Sequence, residues 1–287
     1  MGCGSIKNMR YIITHKNCND GMASALAAWL VFKDDQTKYV FCDYKDPVPE
    51  IPDATEIFIL DFSFKRPILL DMFNKVNGKI KVLDHHKSAK KELEGLDFCT
   101  FNMDKCGAVL SWEYFHPTKE IPVFFKYVQD YDLFTKKLFG INESNAYINS
   151  FQRNIEQFNK LLDEYECNNA GVLVQGGVIL RYHQRDVEKC CEDARFHIWD
   201  GVPCMIVNAQ GYMASDVGEK LLEDNKNIEF VCIYYDKDGC RSYSLRSRGE
   251  TREIGGYDVS ALANKYGGGG HRSAANFVIK TTVPFIL

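Results

Sequence analysis

The stretch Lys81-Val82-Leu83-Asp84-His85-His86 decides how the chain reads. A β-forming run from Lys79 to Leu83 stops abruptly at three consecutive polar residues, an unusual end for a buried strand. Two earlier strands end on similar chemistry. Tyr11-Ile12-Ile13-Thr14 runs into His15-Lys16-Asn17-Cys18-Asn19-Asp20-Gly21, and the run from Glu56 ends at Asp61. Around them lie a helical pattern from Asp20 to Phe32, a strand over Lys38 to Tyr44 and a helix over about Pro67 to Val76. Strands alternating with helices pair in parallel through right-handed crossovers, an α/β domain. Their C-terminal ends then share one edge, where open α/β sheets bind ligands. His15, Asp20, Asp61, His85 and His86 are therefore expected to converge.

Composition limits what such a site can serve. The 287 residues carry 35 Lys plus Arg against 39 Asp plus Glu, a net charge of -4, so bulk charge does not make the chain a nucleic-acid binder. Aromatics at 13% argue for a folded core. No apolar run approaches the roughly 18 residues of a membrane span. Residues 1–9 show no apolar signal core and are expected to form a short disordered lead. Eleven cysteines, with no C-x-x-C, argue against a disulfide framework and for a reducing, cytoplasmic setting.

Further helices are expected over Ala108 to Phe115, Val123 to Tyr131 and Ile155 to Tyr165. A long polar helix over about Gly176 to Ala194 has no strand beside it and reads as a connector. Beyond it the pattern changes to strands at Cys204 to Asn208, Glu229 to Tyr235 and Arg241 to Arg246. Helices are expected at Ser215 to Leu222 and Val259 to Tyr266, the latter running into four glycines. The expected division is a larger parallel-sheet domain over 10–170, a connector over 171–198 and a smaller α/β domain over 199–287.

Mixed imidazole and carboxylate donors suit manganese, iron or zinc, and carboxylates alone suit magnesium. Two ions about 3.5–4 Å apart, sharing a carboxylate, activate water for phosphoryl chemistry. Taken singly these residues say little. A lone histidine at a strand end is more often a hydrogen-bonding residue, and a lone aspartate more often caps the next helix. Their joint recurrence after successive strands is what points to a site. His116, His183 and His197 lie outside it and read as surface or core residues. Trp29, Trp112 and the pair Cys190-Cys191 read as packing, and the charge-rich stretch Arg246 to Glu253 as a solvated loop.

Asp84-His85-His86 resembles the signature of the DHH phosphoesterases. His15 to Ala25 resembles the first motif of that family, Leu60-Asp61-Phe62 the second, and Asp130-Tyr131-Asp132-Leu133 an acidic fourth motif. Gly267-Gly268-Gly269-Gly270-His271-Arg272 with Ala274-Ala275 resembles the glycine-rich motif of the DHH-associated C-terminal domain, and Ser244-Leu245-Arg246-Ser247 a substrate-contacting strand. The resemblance implies that His15 ligates one metal, Asp20 and His85 a second, and that Asp61 bridges both. It assigns either Asp130 or Asp132 to complete the second site. Asp84 and His86 would orient ligands or contact substrate, and Arg246, Gly268, Gly269, Gly270, His271 and Arg272 would grip phosphate. Where many members have an aspartate, this chain has Cys18. Either the thiol packs, or its thiolate or the amide oxygen of Asn17 replaces the carboxylate.

The resemblance implies a two-metal phosphoesterase using manganese, with magnesium, cobalt or iron as alternatives. Its substrate would be a short oligonucleotide, a linear or cyclic dinucleotide or a nucleoside bisphosphate. Long duplexes and membranes are not expected as partners, and a homodimer is possible. A pyrophosphatase of the same superfamily would lack the glycine-rich motif. The rival from another class is a catalytically impaired nucleotide-binding protein that keeps the phosphate clamp.

Overall fold

The computed structural model describes residues 9–44, 46–249 and 256–280. Residues 1–8 of the expected lead, and residues 250–253 of the charge-rich stretch, lie outside the described residues. The chain divides into two compact units at Leu180 and Arg181.

In the first unit, β1 (Met9–His15), β2 (Thr37–Cys42), β3 (Ala54–Leu60), β4 (Ile80–Asp84) and β5 (Cys99–Phe101) form a sheet in the order β2-β1-β3-β4-β5. Every neighbouring pair is parallel. Strand order reverses at β1, with β2 on one side and β3 on the other. That is a topological switch point, where loops leaving adjacent strands diverge and open a crevice. The strands are apolar on both sides. Met9, Tyr11 and Ile13 of β1 join a core with Leu69 and Met72 of α2 (Arg66–Lys75). Ile12 turns the other way, beside Ala28 of α1 (Asn19–Trp29) and Leu110 of α4 (Gly107–Phe115). This alternation follows from the two-residue side-chain period of a strand.

The short α3 (Lys87–Glu92) follows β4. The largest core gathers α1, α4, α5 (Val123–Asp132), α6 (Ile141–Asn149) and the first part of α7 (Ile155–Glu192), around Leu26, Trp112, Phe124, Phe158 and Tyr165. The two helices expected at Ile155 to Tyr165 and Gly176 to Ala194 both lie within α7, which breaks at Asn168, where φ -153° and ψ 62° are not helical. There the Asn168 amide oxygen accepts from Gly171 N–H at 3.0 Å, an N-cap that starts the second helix.

In the second unit, β6 (Arg195–Trp199), β7 (Val202–Asn208), β8 (Phe230–Lys237), β9 (Cys240–Ser247), β10 (Gly269–His271) and β11 (Ala274–Lys280) form a sheet in the order β10-β11-β9-β8-β7-β6. Only β7 and β8 pair in parallel. Val231 and Ile233 of β8 face α8 (Ala214–Asp224), while Phe230 and Cys232 pack with Val259 and Leu262 of α9 (Val259–Lys265). Val187, near the end of α7, belongs to the α8-side core.

Phe124 is completely buried at the junction of α5 and α7, against Phe158 and Tyr165. Phe124→Ala is expected to cost about 3–5 kcal/mol by cavity formation, read as an earlier urea transition of the first unit. Val174→Ala on the exposed side of α7 is expected to stay within about 0.5 kcal/mol of the parent.

Candidate metal centre

The ends of β1, β3 and β4 and the start of α1 bring His15, Cys18, Asp20, Asp61, Asp84, His85 and His86 together. Asp61 lies at the centre. It follows β3 directly and adopts a left-handed conformation, φ 54°. This is costly for a residue other than glycine and turns the carboxylate back over the sheet edge. Its Oδ1 lies 3.2 Å from His85 Nε2. Its Oδ2 accepts from the Cys18 thiol at 3.5 Å and lies 3.9 Å from His15 Nδ1. One carboxylate oxygen thus faces each half of the cluster.

The donors form three overlapping groups. His15, Cys18 and Asp61 make the first, Asp61, His85 and His86 the second, and Asp20, His85 and Asp132 the third, with ligand atoms in each within 4.8 Å of one another. The first set mixes nitrogen, sulfur and oxygen donors and the other two nitrogen and oxygen, and each fits a divalent transition-metal ion. His85 Nε2 faces three carboxylates, being also 3.5 Å from Asp20 and 3.6 Å from Asp132.

Cys18 also caps α1, accepting from Gly21 N–H at 3.2 Å, and its sulfur lies 3.3 Å from His15 Nδ1. Burial first, then the charge of Asp20, pushes its thiol up to about 12. Asp20 holds α4 in place: its two oxygens accept from Gly107 and Ala108 N–H, each at 2.7 Å. A carboxylate there meets the partial positive end of the helix dipole. Gly107 had no sequence signal beyond being a glycine that opens a helix. A Cβ on it would come within 2.3 Å of Asp61 Cβ, so only glycine lets the helix start so close to the site. Gly21 is constrained in the same way by the His15 carbonyl oxygen, at 2.1 Å.

Asp84 is completely buried and fully engaged. Its Oδ1 accepts from His85 N–H at 2.7 Å, from His86 N–H at 3.2 Å and from the His86 ring at 2.6 Å; its Oδ2 accepts from the Ser63 hydroxyl at 2.8 Å. Burial disfavours charge on His86, but the Asp84 hydrogen bond and charge outweigh it and raise the imidazole above its ordinary value. Burial lowers His15 and His85. Tyr44 and Phe62 wall in His15, with ring centroids 5.7 and 6.1 Å away, and neither stood out in the sequence reading as a site residue.

Of the two aspartates closing α5, the structure brings Asp132 to the cluster and not Asp130. Two positions along a helix are about 200° apart, so both cannot face one site. Asp130 turns into the following loop, accepting from the Thr135 hydroxyl, Lys137 N–H (3.0 Å) and Leu138 N–H (2.8 Å).

In the second unit, strand register puts Arg246 of β9 opposite Ala274 of β11, and Ala274 opposite His271 of β10. Arg246 and His271 therefore lie in one cross-strand row on one face of the sheet. Arg246 also reaches the Ser215 hydroxyl of α8 at 3.3 Å. Arg272 turns to Asp258 and the Gly256 carbonyl, at 3.3 and 3.0 Å. The glycines differ in purpose. A Cβ on Gly268 or Gly270 would strike β11 backbone within 2.0 and 2.6 Å, whereas one on Gly269 meets only Asn264 Oδ1 at 3.6 Å.

No protein-family model matches the chain. Over 96% of its length it is 29% identical to the uncharacterized protein R106 of Acanthamoeba polyphaga mimivirus, spanning 69% of that protein. It is 23% identical to the oligoribonuclease NrnB of Bacillus subtilis (strain 168), over 96% of this chain and 74% of NrnB. Its fold is similar to the pGpG-specific phosphodiesterase PggH of Vibrio cholerae, with TM-score 0.54 at 14% identity over 95% of this chain and 94% of that one. It is also similar to RecJ of Thermus thermophilus in complex with Mn2+, with TM-score 0.51 at 10% identity over 95% of this chain and 50% of RecJ.

Burial, then the charges of Asp20, Cys18 and Asp132, push the Asp61 carboxyl well above the usual range. The folded chain then holds this proton more tightly than the unfolded chain. The stability it contributes is complete at acid pH and is lost as pH rises from the unfolded value, about 3.9, through the raised folded value. Asp61→Asn removes that loss. At pH 8 with chelator, its Tm is expected to exceed the parent's by several degrees. Added Mn2+ is expected to raise the parent's Tm and leave the variant's unmoved.

Proposed function

We propose that the chain is a phosphoesterase of the DHH family, a hydrolase of nucleotide or nucleic-acid phosphoesters that cleaves short oligonucleotides or dinucleotides to release a nucleoside monophosphate; the oligoribonuclease it resembles in sequence and the phosphodiesterase it resembles in fold support this reading. The observation that carries the proposal is Asp61, with one oxygen toward His15 and Cys18 and the other toward His85. His15, Cys18 and Asp61 would hold one divalent ion, and Asp20, His85 and Asp132, with Asp61 shared, a second. Such ions supply an activated water and neutralise phosphoryl oxygens. Manganese is the proposed ion, because imidazole with carboxylate suits it and the RecJ relative in fold is described with Mn2+.

The chain's own residues do the rest. Asp84 fixes the His86 ring through Nδ1 and favours its charged form, so that Nε2 donates to a phosphoryl oxygen of the bound anion. Tyr44 and Phe62 limit water around His15. Arg246 and His271 bind phosphate in the second unit, where the absence of a Cβ at Gly269 leaves its backbone approachable. Short substrates agree with the names of the relatives, an oligoribonuclease and a pGpG-specific phosphodiesterase.

The test is product release with manganese, magnesium or no metal on a 5′-phosphorylated dinucleotide, a five-nucleotide RNA, a cyclic dinucleotide, adenosine 3′,5′-bisphosphate and pyrophosphate. Manganese-dependent monophosphate release from the dinucleotide or the five-mer is expected. A ligand that raises Tm while nothing is hydrolysed would instead make the chain a nucleotide-binding protein. Cys18→Asp keeps both a cap for Gly21 N–H and a metal donor. It is expected to retain manganese-dependent activity within a few-fold, while Cys18→Ala loses at least tenfold in manganese affinity by calorimetry.

A further inference from the structure

Between α3 and β5, at the edge of the first sheet, runs a groove of about 560 Å³. One wall carries Lys87, Lys90 and Lys91. Positions i, i+3 and i+4 stand on one side of a helix, and all three lysines are exposed. None of them forms an ion pair among the described residues; the nearby Glu92 pairs with Lys65 instead. The lining also includes Phe101 and Met103, which end and follow β5. Glu94, the acid in the lining, comes seven residues after Lys87, past the far end of α3.

Three like charges on one helix face repel one another; Lys90 and Lys91 suit the last turn of α3, but Lys87 opens the helix, where a cation is unfavourable. A groove lined by a row of cations together with apolar and aromatic side chains is a lining suited to single-stranded nucleic acid: charge tracks the backbone, and an aromatic ring offers a surface for a base. Location adds to this. His86 belongs to the metal-site cluster and Lys87 is the next residue, so the lysine row begins where the cluster ends. From Lys87 to Lys91 is about 6 Å along the helix axis, a step comparable to neighbouring phosphates of an extended strand.

We propose that this groove binds the phosphodiester backbone of a single-stranded oligonucleotide beyond the nucleotide being cleaved. The proposal rests on the hydrolase reading above and deepens it by naming the substrate class. A 5′-phosphorylated dinucleotide has one internucleotide phosphate, which the catalytic cluster itself takes, and one terminal phosphate. Only longer strands present further internucleotide phosphates to Lys87, Lys90 and Lys91. The groove therefore favours oligonucleotides over dinucleotides and nucleoside bisphosphates.

The test compares full-length parent protein with a triple variant, Lys87→Gln, Lys90→Gln and Lys91→Gln, and with the triple Lys→Arg variant that keeps the charge. Binding of a fluorescent five-nucleotide RNA is followed by anisotropy at three salt concentrations, and turnover of the five-mer and of a 5′-phosphorylated dinucleotide is measured alongside. The Gln variant is expected to bind the five-mer at least tenfold more weakly. Its plot of log affinity against log salt should flatten by about 2, the counterion release of three phosphates on a single strand. Its dinucleotide turnover should stay within twofold of the parent, and the Arg variant should behave as the parent. Unchanged five-mer affinity, or an equal loss on both substrates, overturns the groove. A parent that binds the five-mer through these lysines and hydrolyses nothing supports the groove and overturns the hydrolase reading.

Discussion

The first unit is organised around the burial of one negative charge. Asp61 is 2% exposed and shares its surroundings with Asp20, the Cys18 sulfur and Asp132. Carboxylates this close cannot all ionise in a low-dielectric site without a cation. The fold supplies neutral imidazoles: His15 and His85, both held below their ordinary values by burial, are donors to a metal and poor counter-charges. The arrangement is therefore unfavourable by itself, and a bound divalent cation would relieve it, which would couple metal affinity to folding stability.

Much of the surrounding structure holds that charge in place. The left-handed turn at Asp61 aims its carboxylate along the sheet edge. Gly107 leaves room for it, and Asp20 brings α4 to that spot by capping Gly107 and Ala108. Asp20, which its motif leads one to expect at a metal, is thus the anchor of a helix through both oxygens of its carboxylate. Asp84 works one layer further out, spending both oxygens on Ser63, the His86 ring and two backbone N–H groups.

The four-glycine run shows how a motif can combine separate demands. In the sequence it resembled one phosphate cradle. In the fold, Gly267 and Gly270 take positive φ, and Gly268 and Gly270 sit where β11 backbone leaves no room for a side chain. Only Gly269 is free of such a requirement, which makes it the position where an approaching ligand is the simplest reason for glycine.

The sequence by itself determined the α/β architecture of the first unit and most of the cluster. Strand and helix periodicities are local, and so is the abrupt polar end of Leu83-Asp84-His85-His86. Once parallel pairing follows from the alternation, strand ends at His15, Asp61 and Asp84 must share an edge. Short, exposed elements without a clear period, such as α3, β5, β6 and β10, were not legible. Only the folded chain showed that Asp132 and not Asp130 joins the cluster, and that Asp20 anchors α4. Each depends on which backbone groups come within reach of a carboxylate: the N–H groups of Lys137 and Leu138 for Asp130, and those of Gly107 and Ala108, far off in sequence, for Asp20. Residue type records which hydrogen bonds a side chain can make, and only the folded chain selects among them.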